Sequence, residues 1–476
     1  MAINLTLFNK QELERLHGKS LDVLKKVGLQ FNSQRALAIL GDAGCDVDTE
    51  EGSAKIPSEL VQRALESVPS QITLAARNPE KDVHYGSGEL NFISAAQGPF
   101  FRDLDTRERR ASTSADLTQC AMLCDALDEV TEFASMVVPH DVPPILRRLQ
   151  AAKIAYTCTS MHVVGGMTDL TTQPYQLEII DALLGDRKRL KERPLFSHVI
   201  NDVSPLQKDA DMVDATLSLA DYTPPILLYY MPLAGGTAPV TLAGSVLEMT
   251  ANMLGSVVLY QLAQPGWPII WGTGPGVLDM RTGRYSGRAE LALMSVAHVE
   301  MARYYGLPAL SGDFSSPDAK SIGFQSGMDA VIGSLPVVLA GTDALWGPGD
   351  LDAATFVDLP YLLLCTEIVR QLKRLREGIQ LDEEHFLSDV IAEMRFQGEY
   401  LGHPSTKKYF RQEHLLPKLF PRESYEAWEA RAQSEEDMAI ARVKEILADH
   451  EPNPLPEDVR AEIDRIIEAA EVHLVG

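Results

Sequence analysis

The chain has 476 residues, with 67 acidic side chains against 43 Lys and Arg, a net charge of −24, and 45% hydrophobic residues. That length suits one large domain with extensions, or two to three domains, of ordinary globular composition. The acidic excess argues against a nucleic-acid binder, whose affinity rests on Lys and Arg neutralising phosphates, and is compatible with a cationic ligand or simply with solubility.

No apolar run approaches the roughly 18 residues of a membrane span. The opening "MAINLTLFNKQELERL" lacks a basic stretch followed by an apolar core, which predicts no secretory signal and a cytoplasmic location. Five cysteines (Cys45, Cys120, Cys124, Cys158 and Cys365), without C-x-x-C or H-x-x-x-H spacing, predict reduced thiols and no zinc motif.

Residues 1–88 read as a small helical cap. "NKQELERLHGKSLDVLKKVG" carries apolar residues at helical spacing and stops at Gly28; "SQRALAILGDAG" starts at a Ser cap and stops at Gly44; "IPSELVQRALESVP" is bracketed by prolines. From about residue 89 the rhythm changes. Strands are predicted at 90–97, 133–141, 162–169, 195–202, 225–232, 268–273, 308–314 and 343–349, with amphipathic helices between them. Eight strand–helix units predict a (β/α)8 barrel over 89–352. The near-continuous apolar strands agree, because a parallel sheet is covered on both faces. A doubly wound sheet is the rival, and no nucleotide-binding fingerprint supports it. Residues 353–476 read as the last barrel helix and a helical extension whose length makes a homo-oligomer plausible.

In such a barrel the chemistry sits at the C-terminal ends of the strands. There the sequence offers Arg102, His140, Tyr229, Tyr230, Trp271, Asp313, Phe314 and Trp346, with acidic residues at nearly every tip. An aromatic box in a negative field suits a quaternary ammonium, each ring face attracting a cation by ~0.5–2 kcal/mol; core packing of the same rings is the other reading. Gly272, Gly274, Gly276, Gly347 and Gly349, in "GTGPG" and "GPGD", remove Cβ atoms where a broad ligand would lie, or serve turn geometry alone. Asp279 and Arg281 would brace the loop after the sixth strand. Lys320 could form a Schiff base, and paired tip carboxylates could serve a glycosidase.

"MPLAGGTAPVTLAG" (231–244), "LDMRTG" (278–283) and "SPDAKSIGFQSGMDA" (316–330) resemble the trimethylamine methyltransferase family, as do "LHGKSLDVLKKVGLQF" and "IPSELVQRALESVP" near the start. The resemblance covers essentially the whole chain. It implies a (β/α)8 barrel that moves a methyl group from a methylated amine to the Co(I) form of a corrinoid (cobalamin) on a separate carrier protein. The archaeal trimethylamine enzymes hold pyrrolysine in the barrel, whereas all 476 residues here are standard. The resemblance is therefore to the branch that demethylates quaternary amines such as glycine betaine, proline betaine or carnitine. On this reading the tip aromatics and Asp313 hold the ammonium, the five glycines face the corrin, and Arg102, Arg281 or His140 meets a substrate carboxylate. No D-x-H-x-x-G cobalamin signature occurs, so the corrinoid is expected to arrive on the partner. A barrel lyase or aldolase and a non-catalytic betaine-binding barrel are the alternatives.

Overall fold

The computed structural model describes residues 4–312, 314, 318–396 and 398–476. Eight parallel strands close into a barrel: β1 (Asn91–Ile93), β2 (Glu132–Ala134), β3 (His162–Gly165), β4 (Phe196–Asn201), β5 (Ile226–Tyr230), β6 (Ile269–Thr273), β7 (Ala309–Ser311) and β8 (Ala344–Trp346). They are followed in turn by helices α1 (Ser114–Ala126), α2 (Arg147–Cys158), α3 (Gln173–Leu184), α4 (Ala210–Leu217), α5 (Leu242–Ala263), α6 (Arg288–Tyr305), α7 (Phe324–Ala340) and α8 (Leu359–Glu377). The sheet runs in chain order and closes where β8 pairs with β1. Each strand is shorter than its apolar run, because the run continues into the tip loop.

Side chains alternate between the barrel interior and the helix layer. Ile93, Ala134, Val164, Val199, Leu227, Ile270, Leu310 and Ala344 pack together inside. The intervening Phe92, Phe133, Leu228 and Trp271 belong to the larger core between sheet and helices.

The N-terminal region is not purely helical, contrary to its periodicity. Between its helices lies a three-stranded antiparallel sheet, and a hairpin of Ile72–Leu74 against Val83–Tyr85 follows the last helix. Ile72, Leu74, Val83 and Tyr85 join the interior cluster and close the N-terminal end of the barrel. The Tyr85 hydroxyl donates to Glu132 at 2.7 Å, and burial pushes the Glu132 carboxyl up to about 8.

The helices Lys10–Lys26 and Ser58–Ser67 pack on α5. This explains why α5 is long and apolar enough to cross a membrane by composition. A helix covered on all sides, by barrel and cap, is apolar on all sides. The extension after α8 ends in two helices: Glu435–Asp449 packs on α1 and α8, and Glu457–Leu474 on α2 and α3. Arg107 ties the first of these to the barrel, donating to Asp358 at 2.7 Å and Glu436 at 2.6 Å.

Candidate active site at the barrel mouth

A cavity of about 500 Å³ opens at the C-terminal end of the strands. Val164, Val199, Tyr229 and Trp346 line its barrel side, with Gln97, Asn201, Met231 and Asp350 around them. It runs on over Gly165 and Gly166 towards α2, where Arg147, Ala151, Ala155 and Tyr156 form the far wall. The rings of Tyr229 and Trp346 meet at 5.0 Å between centroids, with planes tilted by 56°. Both point inward because Leu227 and Tyr229 share one face of β5, as Ala344 and Trp346 share one face of β8.

Three glycines position Tyr229. A Cβ on Gly274 would stand 2.2 Å from its hydroxyl oxygen, one on Gly312 1.9 Å away, and one on Gly272 3.3 Å from its Cδ2. The ring therefore lies in a slot that only these Cβ-less positions leave open. This corrects the expectation that the glycines face a flat ligand. The room at Gly276 is taken by the Tyr285 ring, 2.1 Å from a would-be Cβ, and that at Gly349 by Met136 and Leu362. Gly347 turns the chain with φ 116°, its N–H donating to Ile93. All five serve the chain's own packing and turns.

Of the five expected aromatics only Tyr229 and Trp346 come together at the cavity. Trp271 faces away from the cavity, stacked on His298 at 5.6 Å and edge-on to Tyr305 at 5.5 Å. It sits one residue out of phase with Ile270, so it packs under α6 and is fully buried. Tyr230 is likewise out of phase with Tyr229, and its hydroxyl donates to Glu248 on α5 at 2.5 Å. Phe314 packs edge-on against Phe92 at 6.1 Å. Asp313 lies outside the described residues.

The expected carboxylate donors are also engaged elsewhere. Arg102 donates to the Lys320 carbonyl at 2.7 Å and to Asp358 at 3.4 Å, and stacks over Phe356. The His140 ring stands beside the Ser112 hydroxyl, 3.4 Å away. Arg281 is exposed and pairs with Asp279 at 2.9 Å. Its hydrogen bonds hold the Asp279 carboxyl down at about 2. Most tip acids act in the same local way: Asp141 accepts from the Ser114 N–H, Asp169 from the Thr172 N–H, and Asp352 pairs with Arg284 and Lys320. Asp350 alone of the tip acids lines the cavity among the described residues. Lys320 is exposed and ion-paired, the opposite of the desolvated amine that Schiff-base chemistry uses.

Sequence reasoning missed two residues. Gly312 could have been flagged only by knowing that β7 neighbours the tip of β6. Arg147 had a local signal: in "RRLQAAKIA" it precedes Ala151 and Ala155 by four and eight residues, placing a cation on a small-residue face.

A family model described as "Trimethylamine methyltransferase (MTTB)" matches residues 2–473. The chain is 31% identical to trimethylamine methyltransferase MttB of Desulfitobacterium hafniense (strain DSM 10664 / DCB-2), over 99% of this chain and 95% of that protein. It is 28% identical to the glycine betaine methyltransferase of Desulfitobacterium hafniense (strain Y51), over 97% and 96%. Among solved structures it is similar to the monomethylamine methyltransferase MtmB of Methanosarcina barkeri, with a TM-score of 0.54, 14% identity, and coverage of 93% and 88%; at that identity the likeness concerns the fold. The expected barrel and the sequence match agree, and the chain belongs to the trimethylamine methyltransferase family.

Proposed function

We propose that this barrel transfers a methyl group from a quaternary amine of glycine betaine-like chemistry to the Co(I) corrinoid of a separate carrier protein. The observation that carries this reading is the composition of the cavity wall. Two inward rings, Tyr229 and Trp346, stand over an apolar floor, and among the described residues the wall holds no histidine, cysteine or lysine and one carboxylate, Asp350.

Such a wall suits a reaction that needs no proton transfer. In a quaternary ammonium the N–CH3 bond breaks with its electron pair left on nitrogen, so the amine departs neutral and no acid is required. A tertiary amine would leave as a neutral amine only with a proton held on its nitrogen, so its site would need a group that supplies or keeps that proton. The corrinoid supplies the strong nucleophile that accepts the methyl carbon. What the chain contributes is placement: the rings attract the cation, and Val164 and Val199 keep its surroundings dry. The exposed apolar side chains of Met231, Val240, Met280 and Phe324, in the loops after β5 and β6 and at the start of α7, fit contact with a carrier's face.

The test is product analysis. The protein, Co(I) cobalamin and glycine betaine are incubated without oxygen, and the amines are read by proton NMR. Formation of dimethylglycine in step with loss of Co(I) supports the reading. Unchanged amines across glycine betaine, its longer-chain homologues and choline, with the cognate carrier supplied as well, would overturn it.

A further inference from the structure

Between Leu372 and Ala439 no described residue is buried, although the chain there forms helices at Glu383–Phe386, Ser388–Met394 and Pro404–Glu413. The excursion 379–413 leaves the end of α8 and returns to it. Arg374 pinches its base, donating to the Gly378 carbonyl at 2.8 Å and to the Glu413 carbonyl at 3.2 Å. Within this arm, ion pairs such as Lys408 with Glu384 at 2.8 Å are exposed and so stabilise little. Its large apolar side chains Leu381, Phe386, Ile391, Phe396 and Leu401 are exposed as well, Phe396 completely. Helices this short draw their stability from burying an apolar face, because propensity alone does not offset the entropy of ordering them. The cover for that face has to come from outside the chain.

The neighbouring barrel helix α7 shows the converse, a scaffold face without a cover. The terminal extensions lie over the other flanks: Glu435–Asp449 on α1 and α8, Glu457–Leu474 on α2 and α3, and the N-terminal helices on α4, α5 and α6. α7 packs on α6 and α8. Its single charged residue, Asp329, is buried. A helix that faces water normally turns charged residues towards it; the exposed residues of α7 are Gln325 and the apolar Phe324, Met328 and Ile332, the last three spaced four apart. Leu293, about as far along α6 as Met328 is along α7, is exposed too.

We propose that the arm of one copy covers α7 of a second copy of this chain, whose own arm covers α7 of the first, in a two-fold dimer. Three observations favour a second copy as the occupant. The arm and the open face belong to adjacent helices, α8 and α7, so one two-fold axis carries each arm to the other copy's face and closes the assembly. Both surfaces are apolar, and each lacks the cover that the other would supply. Two chains of net charge −24 repel, so their contact favours a face without acids, which the outward side of α7 provides. The contact uses Met328, Ile332 and Leu293; Phe324, at the mouth end of α7, is left to the carrier.

The experiment is sedimentation velocity on the full-length protein over a dilution series, with amide hydrogen exchange read at both ends of it. Wild type should sediment as a dimer, at twice 52.3 kDa, and the amides of 379–413 should exchange slowly in the dimer and fast after dilution. Ile332→Asp and Leu401→Asp should each raise the dissociation constant at least about tenfold, as loss of one interface anchor does, and Ile332→Asp should also release the arm's amides. Val472→Asp, at an exposed site on the last helix, should change neither readout. Leu401 is not buried in its own chain, so Leu401→Asp reads the interface even if Ile332→Asp fails to fold. A monomer at every concentration overturns the proposal, as does a dimer indifferent to Leu401→Asp. A trimer overturns the two-fold exchange. A dimer broken by Ile332→Asp whose arm amides are unprotected throughout would set α7 against α7 and overturn the arm's role. Protection of the arm that appears only when the corrinoid carrier is added would assign it to that partner and overturn the second copy.

Discussion

The hydroxyl of Tyr229 occupies the space that a Cβ of Gly312 would fill, 1.9 Å from where that atom would stand. The ring is thereby pinned at the tip of β5, with its centroid 5.0 Å from that of Trp346. This contact joins strands that are not neighbours in the sheet, since β6 and β7 lie between β5 and β8.

Replacing Gly312 by Ala should therefore displace Tyr229 and weaken ammonium binding. The double variant Gly312→Ala with Tyr229→Phe should recover part of the loss. Removing the hydroxyl leaves the ring's Cζ as the nearest side-chain atom, 3.1 Å from the new methyl, a tight but tolerable distance. Calorimetric affinity for a quaternary ammonium, measured on the four corners of this cycle, reads the coupling. Strict additivity would mean that the glycine acts through something other than Tyr229.

The two rings should matter separately for the cation. Truncating Trp346 or Tyr229 to Ala should raise the Kd by about 2–30-fold each, the equivalent of ~0.5–2 kcal/mol per ring face. Tyr229→Phe should cost much less, because the ring face remains. A titration with tetramethylammonium isolates this effect from any carboxylate contact.

Trp271 should behave as a core residue. Trp271→Ala should lower the unfolding free energy by about 3–5 kcal/mol in denaturant titrations, because it opens a hole between β6 and α6. Trp271→Phe should lose less stability and retain the affinity for tetramethylammonium. A large loss of affinity in a stably folded Trp271→Phe would place this ring at the ligand after all.

Glu132 should make stability pH-dependent with a defined sign. Its carboxyl titrates near the ordinary 4.5 in the unfolded chain and, raised by burial, near about 8 in the folded one. Between these values the folded chain holds a proton that the unfolded chain releases. Its contribution is therefore fully present below about pH 4.5 and lost as pH rises through 8. Glu132→Gln, which can still accept from Tyr85, should match wild type near pH 5 and exceed it by up to a few kcal/mol near pH 8. Parallel stability curves would contradict this.

The barrel was legible because eight apolar runs alternate with amphipathic segments, a pattern that a parallel sheet covered by helices requires. The same coverage hid the site. In "PIIWGT" both strand faces are buried, so no polar alternation shows whether Trp271 points to the barrel interior or the helix layer. Of the five tip aromatics, only Tyr229 and Trp346 have the inward phase. Gly272 and Gly274 look ligand-facing in the sequence because the ring that fills their slot comes from β5, more than forty residues earlier. The hairpin at 72–85 was missed because its strands are three residues each, too short for a period to emerge.

The central claim, that a quaternary amine is demethylated at this mouth, is tested most directly by the visible spectrum of Co(I) cobalamin mixed anaerobically with the protein and one zwitterionic quaternary amine. The prediction is that the Co(I) band disappears in proportion to the amine added, more slowly with Trp346→Ala than with wild type, and not at all with the matching tertiary amine. A Co(I) band that persists with quaternary amine, protein and carrier together, or that decays equally fast with the tertiary amine, would contradict it.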